Sequence, residues 1–362
     1  MAGGGTGGHL TPLLAVAREL RGRGHEAVFI GTRLGLEARL APQAGFPIEW
    51  IEIGGLKRAG LLRALRTLWQ LPMSVARSCR ILGRVGAGAV FSVGGFVAGP
   101  VAIAALLRRL PLVVMEPNAI PGFTNSAVGR FVYRALLGLP GETRHFPPDK
   151  TEIIGVPIRP EFFNLPPRPR QDAFTVLITG GSQGSRTLNN AFRESWPLFA
   201  RTKLPIYFLH QSGPEIPPGF AAAGLDGELT PYMEDMPAAF ARADLIVGRS
   251  GACAVAEIAA AGKPSILVPF PYAADDHQRR NAEAAVRVGA AILVPDGEMT
   301  GERLFHEISS LLVDRPRLES MGELAKSLSR PGAARRAADV LEEAAGLTKP
   351  VKAETIEGKN VF

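Results

Sequence analysis

Between Glu52 and Glu116 this chain has nine lysines and arginines and no acidic residue. The gap belongs to a wider asymmetry. Residues 1–155 hold 18 Lys/Arg against 9 Asp/Glu, a net +9, whereas residues 156–362 hold 23 against 25, a net −2. A basic excess confined to one half points to an anionic partner there, nucleic acid or an anionic membrane surface. Nucleic acid is not expected, because no nucleic-acid motif is present and only 7% of residues are aromatic. Cysteine is nearly absent. Cys79 and Cys253 lie far apart with no metal spacing near either, which argues against a disulfide framework and reads as reduced thiols of a cytosolic protein. No apolar run reaches the ~18–20 residues that span a bilayer. The longest, Phe96 to Leu107, is shorter and contains Gly99 and Pro100. The N-terminus has no secretory-signal pattern. An Asp-x-Asp metal motif is also missing from the candidate cleft, since Asp275 and Asp276 are adjacent.

Glycine, by contrast, is concentrated. Gly3-Gly4-Gly5-Thr6-Gly7-Gly8-His9-Leu10-Thr11-Pro12 has five glycines in six positions, which excludes a helix or stable strand over those positions. Thr11 as N-cap and Pro12 at the first helical position predict a helix from Pro12 to Leu20. A glycine loop that opens a helix is an anion site, because free N–H groups and the helix dipole converge on one point. His9 sits at that point. The dipole disfavours imidazolium, so His9 is a candidate neutral base; a tight turn with a surface histidine is the plain alternative. Gly3, Gly5 and Gly8 also satisfy G-x-G-x-x-G. However, the second strand, Ala27 to Ile30, runs into Gly31-Thr32-Arg33 with no acid for NAD, although Arg33 leaves NADP formally open. Only Met1 and Ala2 precede the loop, where a buried strand belongs. A central strand cut short leaves unpaired backbone and a void, so the expectation is a start set too late.

Short β-branched runs then alternate with helical patterns. Strands are expected at Ala27–Gly31, Val90–Val93, Leu112–Met115 and Glu152–Ile154, and helices at Leu13–Arg23, Leu36–Ala44, Leu61–Val85, Val101–Leu110 and Asn125–Leu136. This is the signature of an α/β fold with a parallel sheet. A proline-rich hinge surrounds Pro157, Arg159 and Pro160. The scheme then restarts: Phe174–Thr179 is a strand, Gly180-Gly181-Ser182-Gln183-Gly184-Ser185 a second glycine loop, and Arg186 opens a helix. It is not a P-loop, since the G-K-[ST] ending is missing. The repetition implies two Rossmann-like parallel-sheet domains facing across a cleft, the GT-B arrangement. Glu257, just inside a helix near the second cradle, suits ribose hydroxyls, or is an ordinary first-turn acid. His277 and Gln278 are further candidates, or solvated helix-start residues. Glu116 and Asn118 end a strand at the ligand edge, or serve turn chemistry before Pro121-Gly122. Leu56–Arg84 combines Leu61, Leu65, Leu68 and Trp69 with Arg63 and Arg66. It reads either as a basic amphipathic segment for an anionic membrane or as a core-facing helix with a basic outer face.

Four motifs together resemble the MurG family: GGGTGGHLTP (Gly3–Pro12), GGFVAGP (Gly94–Pro100), GGSQGS (Gly180–Ser185) and RSGACAVAEIAAAGKPSILVPFPYAADDHQ (Arg249–Gln278). The resemblance runs from Gly3 to about Leu347. It implies an inverting, membrane-associated transferase that moves GlcNAc from UDP-GlcNAc to the MurNAc 4-hydroxyl of undecaprenyl-pyrophosphoryl-MurNAc-pentapeptide (lipid I). Residues 1–155 would form the acceptor and membrane-docking domain and residues 156–330 the UDP-GlcNAc domain. A helix at 331–348 would pack back on the first domain, and 349–362 would be a loose tail. The resemblance implies His9 as the base, the backbone near Met233 for uracil, and Glu257 for ribose. Ser182 and the run Ala252, Cys253, Ala254, Val255 and Ala256 would hold the diphosphate, and His277 and Gln278 the sugar. Thr6, Gly7, Gly8, Asn118 and Arg159 would complete the cleft. No protein-bound metal is required on this reading, and Mg²⁺ enters at most as a stimulant. The basic segment would dock on the cytoplasmic face of the cell membrane, making the protein peripheral. Four positions depart from the family's usual pattern: Phe96 stands for Tyr, Ala254 for Thr, and Met115 and Pro117 flank Glu116 in place of His and Gln. The lost threonine hydroxyl is worth about 1 kcal/mol. The alternatives are another GT-B transferase acting on a membrane lipid, or a catalytically inactive membrane-bound scaffold.

Overall fold

Runs such as Phe174-Thr175-Val176-Leu177-Ile178 are apolar or β-branched at nearly every position, the pattern of a strand covered on both faces. In the computed structural model these runs form two parallel sheets. The structure describes residues 1–4, 7–54, 61–139, 143–167, 173–202, 204–273 and 276–347, with backbone only for 61–68. Thr6, Lys57, Arg58, Asp275 and the tail 349–362 therefore lie outside the described residues, as do the side chains of Leu61, Arg63, Leu65, Arg66 and Leu68.

The first half runs β1 (Ala2–Gly3), α1 (Gly7–Gly22), β2 (Phe29–Gly31), α2 (Glu37–Gln43), β3 (Ile48–Trp50), α3 (Leu61–Arg84), β4 (Val90–Gly94), α4 (Ala98–Leu107), β5 (Leu112–Glu116), α5 (Phe123–Val128), β6 (Arg134–Leu137) and β7 (Thr151–Ile153). The second runs β8 (Phe174–Thr179), α6 (Arg186–Thr202), β9 (Ile206–Gln211), β10 (Asp226–Thr230), α7 (Met236–Arg242), β11 (Leu245–Gly248), α8 (Ala252–Ala261), β12 (Ser265–Leu267), α9 (His277–Arg287), β13 (Ala291–Leu293), α10 (Gly301–Val313), α11 (Arg315–Ser327) and α12 (Ala333–Ala344). The sheet orders are β3-β2-β1-β4-β5-β6-β7 and β10-β9-β8-β11-β12-β13, with parallel pairing throughout. The order reverses between β1 and β4 in one sheet and between β8 and β11 in the other. Such switch points open a crevice at the carboxyl ends of the strands. The glycine motifs follow β1, β4, β8 and β11, so all four line the two crevices.

Two expectations fail locally. The first helix begins at Gly7, not Pro12, so Thr11 is not its cap and Pro12 lies in its interior. The stretch Asn125–Leu136 is not one helix. The chain leaves α5 at Val128, makes a short 3₁₀ turn over Gly129–Phe131 and enters β6. Gly129 packs against the His145 carbonyl, where no side chain fits. The Ala135-Leu136-Leu137 run is buried on both faces of the sheet, which outweighs helical spacing.

The two-residue β1 holds the centre of the first sheet. Ala2 pairs with Ile30 and Ser92, and the Met1 ammonium donates to the Val28 carbonyl at 2.9 Å. Burial pushes that amine down to about 5. Beside it lies a cavity of about 320 Å³ lined by Val28, Ile81, Val90 and Leu341 among others.

The last helix crosses back to the first domain. Ala337, Ala338, Val340 and Leu341 of α12 join a core with Leu10, Leu13 and Val16 of α1. Arg23 binds Asp339 and Glu342 at 2.7 and 2.9 Å, and Arg336 binds Glu152 at 2.8 Å. The chain thus passes twice between the domains.

Candidate active site

The loops after β1 and β4 press backbone on backbone. Gly94 and Gly95 have φ of +90° and +84°, and a Cβ on Gly95 would lie 2.6 Å from the Gly4 carbonyl oxygen. Only glycine permits both the conformation and the approach. His9, third residue of α1, rises from this junction, and its ring donates to the Gly4 carbonyl. That bond fixes a tautomer and leaves the second ring nitrogen as the basic one. The residue is half-buried, with His277 of the second domain near enough to act on its charge. Burial, and secondly the charge of His277, push its pKa down to about 4, against the Gly4 bond and the Glu37 carboxylate. The neutrality expected from the helix dipole is present, but burial is its main cause. The carboxylate of Glu37 is itself buried under the loop, accepting from Thr32 N and Oγ1 at 3.0 Å each.

Pro12 explains a contact between the domains. It has no N–H, so the carbonyl of Gly8, four residues earlier, receives no helical bond from it. The Gly8 oxygen accepts the Cys253 thiol instead, at 3.4 Å. Cys253 is the second residue of α8, whose N-cap Gly251 is extended. Burial, first, and the Glu257 charge push its pKa up, so it remains a thiol and a donor. The amino end of α1 thus meets that of α8. Ala252, Cys253 and Ala254 are the first residues of α8 and their N–H groups have no helical acceptor, whereas Val255 N already bonds Gly251 O. The free N–H groups of the predicted run are therefore those of Ala252–Ala254, the end an anion could meet, whereas Val255 and Ala256 belong to the helical ladder.

Glu257 lies one turn further on and accepts from Arg159 Nη2 at 3.1 Å. Burial pushes its pKa up and Arg159 opposes this. The guanidinium also stacks 4.7 Å over the Phe162 ring. Met233 sits beyond β10, and its N–H donates to Gln211 Oε1 at 2.9 Å, so of the backbone groups there its N–H is already committed within the protein. Gln211 also donates to the Gly181 carbonyl at 2.8 Å, tying the second glycine loop to the Met233 turn. Sequence reasoning missed Gln211 and Glu37; a polar residue ending the buried run Ile206–Gln211 was the available signal. Arg249 bonds Ser185 Oγ, Asp296 and the Val268 and Pro269 carbonyls, so it braces the cradle with its charge already paired.

Ser182 is exposed on the second loop. It shares a cavity of about 800 Å³ with Thr32, Leu36 and Phe96 of the first domain and Gln183 and Tyr232 of the second. His277 and Gln278 open α9. Gln278 Oε1 accepts from Phe270 N at 2.9 Å. Asn118 is committed to Glu116 and Asn281 rather than open on all sides. Gly7 and Gly8 form the first turn of α1. In α3 the predicted Trp69 is 79% exposed and Met73 59%, while Ile81 and Leu82 face the core. The helix thus packs one side on the core, as the second reading expects, and leaves the Trp69 and Met73 side exposed.

Two parallel-sheet domains with glycine loops at facing switch points define a glycosyltransferase of the GT-B type. Residues 1–137 match the glycosyltransferase family 28 N-terminal domain and residues 175–337 its C-terminal domain. Over 349 residues, 95% of each chain, the sequence is 56% identical to the UDP-N-acetylglucosamine–N-acetylmuramyl-(pentapeptide) pyrophosphoryl-undecaprenol N-acetylglucosamine transferase of Solibacter usitatus. The Myxococcus xanthus protein of the same description is 41% identical, covering 94% of this chain and 91% of its own. The crystal structure of Acinetobacter baumannii MurG superposes with a TM-score of 0.77 at 30% identity, covering 94% of this chain and 97% of that one. The chain belongs to the MurG family of glycosyltransferases.

Proposed function

We propose that the protein transfers GlcNAc from UDP-GlcNAc to the MurNAc 4-hydroxyl of undecaprenyl-pyrophosphoryl-MurNAc-pentapeptide, converting lipid I to lipid II in peptidoglycan synthesis. The observation that carries this is the meeting of His9 with the heads of α8 and α9, through the Gly8–Cys253 contact and the interaction of His9 with His277. The reading fits one-step displacement. Neutral His9 takes the proton of the 4-hydroxyl, and the hydroxyl oxygen bonds to C1 of GlcNAc. The C1–O bond to the diphosphate breaks with inversion, and UDP departs with the electron pair. The N–H groups at the α8 head stabilise the charge that develops on the diphosphate. This route requires no metal held by the protein, and Mg²⁺ would act through the diphosphates.

The exposed side of α3 supports docking on the cytoplasmic face of the membrane. Trp69, Met73, Arg77, Arg80 and Arg84 recur at helical spacing along one exposed face. The amino end of α3 follows β3 and that of α5 follows β5, so both stand at the carboxyl edge of the sheet, where Phe123 is exposed as well. Apolar anchors followed by arginines on the same exposed face suit an anionic lipid surface. Among the described residues no helix is long and apolar enough to cross a membrane.

The test is transfer of radiolabelled GlcNAc from its UDP donor to a short-chain lipid I analogue, with diacylglycerol and other lipid acceptors in parallel. Label on the lipid I analogue alone is the expected result. Label on another lipid, or UDP binding with no transfer to any acceptor, would overturn the reading.

A further inference from the structure

Asn281 of α9 is fully buried, with none of its surface exposed, and its partners come from both domains. Its Nδ2 donates to Asn118 Oδ1 and to the Ser250 carbonyl, each at 3.2 Å, and its Oδ1 accepts from Ala119 N at 3.3 Å. Asn118 and Ala119 lie in the loop after β5 of the first domain, and Ser250 in the loop after β11 of the second. Each end of the contact is braced. Ser250 Oγ donates to the Gln278 carbonyl at 2.8 Å. Asn118 donates through its backbone and its side chain to Glu116 Oε1, both at 3.1 Å. Glu116 Oε2 accepts from Gly122 N at 2.9 Å and Asn125 Nδ2 at 2.8 Å, and Asn125 also donates to the Met115 carbonyl. A continuous polar chain therefore runs from the first turn of α9 to the end of β5.

The energetics single out Asn281 within that chain. Its neighbours on α9, Ala282 and Ala285, are core residues, so the position is one that an apolar side chain would ordinarily fill. A buried amide is tolerated only when its edges are paired, and an unpaired edge costs its desolvation. Asn281 keeps the Ser250 bond in any domain arrangement, but the Asn118 and Ala119 bonds exist only in this one. A buried polar group whose partners are divided between two bodies favours one relative placement over its neighbours.

We infer that Asn281 is a positioning residue, an interdomain clasp that sets the loop of Glu116 and Asn118 on the acceptor side against the head of α9 on the donor side. The assignment of those two sides rests on the proposed function; the clasp itself does not. Asn281 touches neither the Glu257–Arg159 pair nor Met233, so removing it spares nucleotide binding and disturbs only the alignment of the reacting groups.

The experiment compares Asn281→Ala, Asn118→Ala and the double variant with the wild-type full chain. UDP affinity is measured by calorimetry, kcat and KM by the transfer assay, and exchange of the Ala119 amide by NMR or in the peptide spanning residues 117–123. Asn281→Ala is expected to keep UDP affinity within about twofold, lose protection at Ala119 and lower kcat about 30-fold, as for two buried hydrogen bonds. The double variant should be no worse than about twofold below Asn281→Ala, because the two side chains share one bond. Wild-type protection at Ala119, or a double variant with fully additive losses, overturns the clasp. So does a drop in UDP affinity that matches the drop in kcat, because it shows a general structural defect. If Asn281→Ala does not fold, Asn118→Ala decides, and unchanged kcat in that variant overturns the proposal. A wild-type chain that transfers no GlcNAc would sink the functional reading, while the exchange arm still reports on the clasp.

Discussion

Replacing Glu257 by glutamine tests how the nucleotide is held. Glu257 is buried, and its one charged partner among the described contacts is Arg159, at 3.1 Å. On the proposed reading its other oxygen would accept from the two ribose hydroxyls. A hydrogen bond to a charged group contributes about 1.5–3 kcal/mol, and one between neutral groups about 0.5–1.5 kcal/mol. Two hydroxyls moved from a carboxylate to an amide therefore lose about 2 kcal/mol together, roughly 30-fold in Kd. The substitution also takes away the negative charge that pairs with the Arg159 guanidinium, which adds to the loss. The assay is calorimetric titration of wild type and Glu257→Gln with UDP and with 2′-deoxy-UDP. The deoxy ligand has already given up one of the two bonds, so its loss on substitution should shrink to about 1 kcal/mol, roughly fivefold. Equal losses for the two ligands would show that Glu257 makes no contact with the 2′-hydroxyl and would refute the two-hydroxyl assignment. Unchanged UDP binding would refute the assignment altogether.

The remaining predictions concern the base, the core and the membrane face. His9→Ala should lower kcat by about 10²–10⁴ with UDP affinity retained; normal turnover would remove His9 from the role. Because the folded pKa of His9 is about 4, the acid limb of kcat/KM should fall near pH 4 and not near 6.5. His210, in the core with a pKa lowered to about 4 by burial, makes stability pH-dependent. The unfolded chain takes up that proton below about pH 6.5 and the folded chain does not, so stability falls as pH drops from 6.5 towards 4, by at most about 3 kcal/mol. His9 contributes in the same sense, so His210→Gln should about halve that slope in urea titrations across the range, and an unchanged slope would contradict it. Trp69→Ser with Met73→Ser should reduce sedimentation with anionic vesicles and leave UDP affinity unchanged; undiminished sedimentation would place the docking surface elsewhere.

What could be read from the sequence follows how local the determinants are. β8, the second glycine loop and the start of α6 are each set by neighbouring residues, and all three lie where the sequence puts them. β6 shows the opposite case. Ala135, Leu136 and Leu137 carry a pattern that serves a helix as well as a strand. The β5 edge on one side and β7 on the other decide it, and neither is adjacent in sequence. The same limit applies within the site. Glu257, His9 and the α8 run are visible because each belongs to a motif with its own chemistry. Gln211 gains its meaning only from Gly181, thirty residues away, and from Met233.

Pro12 shows how a misread local signal can point to a real constraint. By sequence it marks the first position of a helix, where its missing N–H costs nothing. In the fold it lies inside α1, where an interior proline ordinarily costs about 3 kcal/mol. The glycines before it allow the helix to start early, at Gly7, and this brings Gly8 and His9 into the first turn. The carbonyl that Pro12 leaves without its bond faces the other domain and takes the Cys253 thiol at the α8 head. A threonine at position 254 would have added a hydroxyl to that head; Ala254 leaves the approach to its backbone N–H groups open and apolar. The disrupted bond in α1 and the unpaired N–H groups of α8 therefore meet at one place. Pro12→Ala should restore the helical bond to Gly8 O and weaken the contact with Cys253. The expected signature is a stability equal to or above wild type together with reduced kcat, read by thermal unfolding and the transfer assay. A variant that gained stability and kept full turnover would show that the Gly8–Cys253 contact has no part in aligning the two domains.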